Sequence, residues 1–205
     1  MRREIAIALR VTLVTLVLTG LLYPFAMTGV AQALFHDRAN ASLVRDENGA
    51  VVGSELIGQI FTSPVYLQGR PSAAGNGYDP TASSGSNLGP TSKKLRDRVI
   101  GDIDRLHKEN PDAPPVVPGE LVTTSASGLD PDLSPGAALW QVQRIAKARR
   151  IAPERVREVI ERRVQGRDLG VFGEPRVNVL AVNLALDRQF GKPARPAPAA
   201  PAAAK

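Results

Sequence analysis

The chain has 205 residues, no cysteine, two histidines and a formal net charge of +6 at pH 7. Without cysteine there is no disulfide to brace a fold and no thiolate to serve as nucleophile or metal ligand, and two histidines leave little room for hydrolytic or metal chemistry. A content of 18 glycines and 17 prolines points to short elements joined by long loops.

Val11 to Leu34 holds no charged side chain. As a helix it would be about 36 Å long, enough to cross a hydrocarbon core of about 30 Å with some tilt. The rival reading is a cleaved secretory signal, because Arg2 and Arg3 open the chain and Ala31-Gln32-Ala33 has a small-x-small cleavage pattern. The apolar run outlasts the usual signal core of about 7–15 residues, which favours a retained anchor. Arg2, Arg3 and Arg10 outweigh the balanced flank Phe35-His36-Asp37-Arg38. The positive-inside rule then makes residues 1–10 a cytoplasmic stub, 11–34 the transmembrane helix and 35–190 an extracytoplasmic domain. Gly29 and Ala33 form a small-xxx-small step for a packed neighbour, and Pro24 is expected to kink the helix.

Beyond the anchor the pattern predicts a loop-rich α+β domain with several helices and a small sheet. Asn48-Gly49 reads as a hairpin turn between strands around Ser42–Val44 and Val51–Val52. Ser54 to Gly69 reads as a short helix or an irregular packed segment. Gly69 to Pro90 is so dense in Gly, Pro, Ser and Asn that regular structure is discouraged, and its turn residues with Tyr78 and Leu88 suggest an ordered binding loop. Ser92 or Thr91 can cap a helix carrying Leu95, Val99, Ile103 and Leu106 on one face and ending before Pro111.

A Pro-rich linker, Pro111 to Pro118, leads to an expected strand Leu121-Val122-Thr123-Thr124. Ser125 to Pro131 is a second turn-dense loop, and Ser134-Pro135 starts a helix with Ala138, Leu139, Val142, Ile145 and Ala146 inward and Trp140 partly exposed or bridging. A further helix starts at Pro153 with Val156, Val159 and Ile160 on one face. Val177 to Leu186 suits a buried final helix capped by Asn178, with a strand as the alternative. Residues 191–205, rich in Ala and Pro, are expected to be disordered.

Lysines and arginines between Arg144 and Arg167 alternate with Glu154, Glu158 and Glu161 at helical spacing, the mark of an ion-paired exposed face rather than of a nucleic-acid surface. Contact with membrane lipid follows from the anchor itself. His107 lies among Arg105, Lys108 and Glu109, a solvated helix face, and no metal site is expected. Gly89 is followed by Pro90 and not by Lys-Ser/Thr, so the loop does not match a P-loop.

Four motifs stand in order behind the apolar segment: Gly69-Arg70-Pro71-Ser72, Gly85-Ser86-Asn87-Leu88-Gly89-Pro90-Thr91, Ser127-Gly128-Leu129-Asp130-Pro131 and Gly173-Glu174-Pro175-Arg176-Val177-Asn178. Together they resemble the C-subunit family (KdpC) of the bacterial Kdp potassium-transporting P-type ATPase, over nearly the whole chain to about Leu186. The resemblance implies an accessory, non-catalytic subunit of an inner-membrane complex. Its partners would be a channel-like potassium-binding subunit, an ATP-hydrolysing P-type subunit and a small peptide subunit.

ATP and potassium would then act at the level of the complex, with no cofactor held by this chain. The Asp-Lys-Thr-Gly phosphorylation motif of P-type pumps is absent from the sequence. Two roles are implied: a catalytic chaperone that raises ATP affinity, with Gln59 of Leu56-Ile57-Gly58-Gln59 touching nucleotide, or a cover over the potassium entrance. The plainer reading of Gln59 is a buried or rim glutamine bonding loop backbone. Structural or partner contacts fall on Gly69, Arg70, Pro71, Gly85, Asn87, Gly89, Pro90, Gly128, Asp130, Glu174, Arg176 and Asn178, with Gly89 expected to need special backbone angles. The competing class is a secreted periplasmic binding protein or hydrolase using Ser127 or the Gly85 loop.

Overall fold

The computed structural model describes residues 1–46 and 48–193, and the chain forms two units, Met1–Ser54 and Glu55–Lys205. The tail expected to be disordered lies, from residue 194 on, outside the described residues.

In the first unit the apolar segment belongs to a continuous helix, Arg2–Leu34, of 33 residues, whose most apolar 18-residue window has a mean hydropathy of 2.3, long and apolar enough to cross a membrane. The residues expected as a stub are therefore its first turns. The helix runs as α1 (Arg2–Val17), one π-helical turn (Leu18–Leu22) and α2 (Tyr23–Leu34). Pro24 explains the wide turn. A proline ring collides with the carbonyl four residues back and supplies no N–H, and a π turn takes up the added bulk. The Tyr23 N–H accordingly donates to Leu18 O, five residues back, and the Thr19 hydroxyl donates to Thr15 O at 2.8 Å.

After α3 (His36–Ala39), β1 (Leu43–Arg45) and β2 (Val51–Ser54) form the expected antiparallel hairpin. The Asp46 carboxylate accepts the Asn48 and Ala50 N–H groups, and Gly49 takes φ +78° in the turn.

In the second unit α4 (Lys93–Glu109) starts where Ser92 caps it and ends against buried Asn110, whose amide donates to Trp140 O at 2.8 Å. A three-stranded antiparallel sheet has the order β3 (Asp132–Leu133), β5 (Arg176–Asn178), β4 (Val164–Gln165). Leu133 and Val164 both pair with Val177, and Asp132 faces Asn178. Around it pack α5 (Pro135–Trp140), α6 (Val142–Arg149), α7 (Pro153–Glu161) and α8 (Val179–Phe190). They bury Ala138, Val142, Ile145, Val156, Ile160, Val182 and Leu186 in one core with Leu67 and Leu106. Ser134 caps α5 through the Ala137 N–H, and Asn178 caps α8 through the Ala181 N–H. The final apolar run is thus a short strand and then a helix, and both readings of it hold in turn.

Three expectations fail. Leu121 to Thr124 is not a strand: Gly119–Leu121 is a 3₁₀ turn, and Leu121 and Val122 are both buried, whereas a half-buried strand would alternate. Trp140 is 4 % exposed and not a surface bridge, because its indole N–H finds Pro114 O at 3.0 Å and the ring can enter the core. The helix expected after Ser134 is broken at Gln141 into α5 and α6.

Candidate functional site

Two irregular stretches, Gly69 to Pro90 and Ser125 to Pro131, interlock beside a cleft of about 300 Å³ lined by Gln59, Gln68, Arg70, Tyr78, Arg105 and Gln141 among others. Ser72 is the hub. Its hydroxyl donates to Gly128 O at 2.6 Å and accepts the N–H groups of Ala74 and Tyr78 at 3.1 and 2.8 Å. Gly128 has φ +68°, and a Cβ there would stand 2.6 Å from Ser84 O and 2.7 Å from Ala74 N, so only glycine fits. Gly58 meets the same limit: a Cβ would lie 2.3 Å from the Tyr78 ring and 2.7 Å from Asp130 O.

Tyr78 donates its hydroxyl to Arg70 O at 2.8 Å. Burial, with the nearby Asp130 charge adding to it, pushes this phenol up from 10.0 to about 12, so it stays a neutral donor. Arg70 pairs with Asp130 at 3.2 Å and reaches the Thr123 and Thr124 carbonyls at 3.5 and 3.4 Å. Asp130 also accepts the Asp132 N–H at 3.0 Å. Asp132 in turn takes the Asn178 amide at 3.2 Å and the Arg176 guanidinium at 3.5 Å. Burial raises the Asp132 carboxyl above its usual range, and the charge on Asp130 adds to that.

On the adjoining stretch, residues 64–68, every backbone carbonyl accepts a hydrogen bond from a side chain borne on or between helices. Arg144 serves Pro64 and Tyr66 at 2.8 and 3.1 Å, and Arg149 serves Val65 at 2.7 Å. Asn183 pairs with both the N–H and the carbonyl of Leu67, at 2.7 and 2.9 Å, and Gln141 does the same for Gln68 at 3.0 and 2.9 Å. Each amide side chain imitates a neighbouring strand. Arg149 is fixed by Asp187 at 2.7 Å, which also accepts the Tyr66 hydroxyl at 2.9 Å. Burial lowers Arg144 to about 10, well above neutrality.

Of the residues picked from sequence, Gly69, Arg70, Pro71, Gly85, Gly128 and Asp130 meet in this cluster, and Asn178 joins it through Asp132. A Cβ on Gly69 would touch the Tyr78 hydroxyl at 2.6 Å, and one on Gly85 would lie 3.0 Å from Ala126 O. Gln59 lies half-buried in the cleft wall. Asn87 is exposed with φ +50°. Gly89 is a correction: its φ is not positive and a Cβ there would meet nothing within 4 Å, so its backbone does not demand glycine. Pro90 beside it is exposed, as are Gly29 and Ala33 on the long helix. Glu174 holds Arg167 at 2.7 Å on a hairpin, and Arg176 stands at that hairpin's base.

Sequence reasoning missed Ser72 as hub and the set Gln141, Arg144, Arg149, Asn183 and Asp187. One signal was present: Asn183 is an amide inside the apolar run Val177 to Leu186.

Comparison with known proteins places most of the chain in one family. The family described as KdpC, K+-transporting ATPase, c chain, matches residues 5–188, through the long helix and the folded unit. A potassium-transporting ATPase KdpC subunit from Myxococcus xanthus is 64 % identical over 184 residues, covering 90 % of this chain and 87 % of its own. Proteins of the same name from Methylobacterium nodulans and Bradyrhizobium diazoefficiens are 57 % and 52 % identical, covering 85 % and 94 % of this chain and 92 % and 100 % of theirs.

Proposed function

The chain belongs to the KdpC family of K+-transporting ATPase subunits, and from that premise we propose that it is an accessory, non-catalytic subunit that stabilises the Kdp assembly and covers the potassium entrance. The observation that carries this reading is the extent of the match, which begins at residue 5 inside the apolar helix and runs to residue 188. A match that takes in the helix supports a reading in which the anchor stays in the working protein. In this reading Arg2–Leu34 spans the bacterial inner membrane with its N-terminus cytoplasmic, and packs through Gly29 and Ala33 against a partner helix. One helix encloses no pore, so potassium passes through the channel-like subunit and ATP is hydrolysed by the P-type subunit.

With residues 35–190 outside the cytoplasm, Gln59 and cytoplasmic ATP lie on opposite sides of the bilayer. Any effect on ATP affinity is then a shift in the conformational equilibrium of the complex, coupled through its subunits, and not direct contact. The cleft supports this. Its two guanidiniums hold carboxylates already, Arg70 with Asp130 and Arg105 with Asp102 and Glu109, and its volume is at the small end of ligand-sized clefts, about 300–1,000 Å³.

The test is co-purification from membranes in mild detergent. A roughly stoichiometric multispanning partner is expected with the full chain, together with loss of high-affinity potassium uptake when the chain is deleted. A chain that extracts alone, from cells whose uptake survives its deletion, contradicts the reading.

A further inference from the structure

Between β4 and β5 the chain projects a hairpin whose tip is built against ordinary solubility. Asp168 and Phe172 exchange backbone hydrogen bonds at 2.8 and 2.9 Å and close the three-residue turn Leu169-Gly170-Val171. Leu169 is 90 % exposed, Val171 71 % and Phe172 65 %. Leu169 also takes φ +54°, a conformation that Gly or Asn adopts at less cost. A strained leucine with its side chain in solvent serves neither the turn nor the core. Contiguous exposed apolar side chains on a preformed element mark an interaction surface, and a rigid tip loses little freedom on docking.

Charge selects the occupant. The guanidiniums of the stem are engaged, Arg167 with both oxygens of Glu174 at 2.8 and 2.7 Å, and Arg176 with Asp132 and Asp168 at 3.5 and 3.4 Å. Asp168 and Glu174 flank the apolar tip and are themselves 70 % and 78 % exposed. Insertion into an anionic bilayer surface draws on cations beside the apolar wedge and is opposed by carboxylates there. A self-neutralised stem carrying an apolar tip fits instead a protein socket with an apolar floor.

We propose that Leu169, Val171 and Phe172 form a docking finger that inserts into an apolar socket on another protein subunit of the same complex, a proposal that rests on the subunit reading above. The experiment uses the whole complex in native membranes, with p-benzoylphenylalanine in place of Val171. Irradiation is expected to join this chain to a larger subunit that co-purifies with it. In parallel, the triple variant L169N/V171S/F172S, in which asparagine tolerates the positive φ, is expected to lower partner recovery in detergent at least about fivefold. The variant's protease resistance in membranes should equal that of the parent chain, which separates lost docking from lost folding.

An intact complex whose crosslinks go to lipid or to a second copy of this chain, or that shows no crosslink, overturns the finger. So does undiminished partner recovery with the triple variant. If the parent chain itself brings down no partner, it is the subunit reading that fails, and the finger goes with it.

Discussion

Residues 64–68 and residues 69–90 adjoin in the chain, lack strands and long helices alike, and are held in place by opposite means. The first is gripped from outside: five consecutive carbonyls each receive a hydrogen bond from Gln141, Arg144, Arg149 or Asn183, all borne on or between helices. The second is locked by close packing with the loops beside it, through approaches at Gly58, Gly69 and Gly128 so tight that a methyl group would collide with backbone or with Tyr78, and through the hydroxyls of Ser72 and Tyr78. A loop of buried polar backbone needs every group paired, and long side chains or glycine-permitted close approach are two solutions to that requirement.

The contrast can be tested by substitution, with unfolding of the detergent-solubilised chain as the measurement. Removing Arg149 as R149M strands the Asp187 carboxylate, whose side chain is 9 % exposed, and takes a donor from Val65; a loss of about 3–5 kcal/mol is expected. N183L leaves both backbone groups of Leu67 without a partner and is expected to cost about 2–4 kcal/mol. If either variant loses less than about 1 kcal/mol, the outside grip is not what holds the segment.

Where the close-packed loop meets Gly128 of the facing stretch, G128A is expected to cost about 2–3 kcal/mol from its clash and its positive φ, while G89A within the loop should stay within about 0.5 kcal/mol. Equal effects at the two glycines would remove close approach as the explanation.

Among the contacts that hold the loop, Tyr78 carries the smallest expected effect. Y78F gives up one hydrogen bond, about 1 kcal/mol. The pH dependence has a definite sign. The unfolded phenol ionises near its ordinary 10.0, whereas the folded one keeps its proton to about 12. Its stabilising contribution is therefore complete below about pH 10 and is lost as pH rises toward about 12. An alkaline absorbance titration should show late tyrosine ionisation that Y78F diminishes, the remainder belonging to Tyr66, which burial and its bond to Asp187 also raise.

These two stretches also differ in how far they could be read in advance. The close-packed loop and the stretch it meets were legible, because Gly-Arg-Pro-Ser in the one and Ser-Gly-Leu-Asp in the other place turn formers at fixed offsets and glycine reports backbone geometry directly. The loop misled at Gly89, where glycine stands in open space. The gripped segment was not legible, because its partners lie 73 to 116 residues away in sequence and local patterning carries no sign of them. Helix starts at Ser92, Ser134 and Asn178 were readable from capping chemistry, whereas the strand expected at Leu121 to Thr124 gave way to the burial of adjacent Leu121 and Val122. The docking finger, with its apolar tip, left a faint trace only, Gly173-Glu174-Pro175-Arg176 at its returning strand.

The most direct measurement is side-specific labelling of a single introduced cysteine. The chain has no cysteine of its own, and Val116 is 78 % exposed in the folded unit, so V116C gives one reactive thiol. In intact spheroplasts a membrane-impermeant maleimide is expected to label V116C fully, since an extracytoplasmic cover over the potassium entrance must lie on that side. Labelling only from the cytoplasmic face of inverted vesicles would contradict the proposed topology and bring Gln59 within reach of ATP.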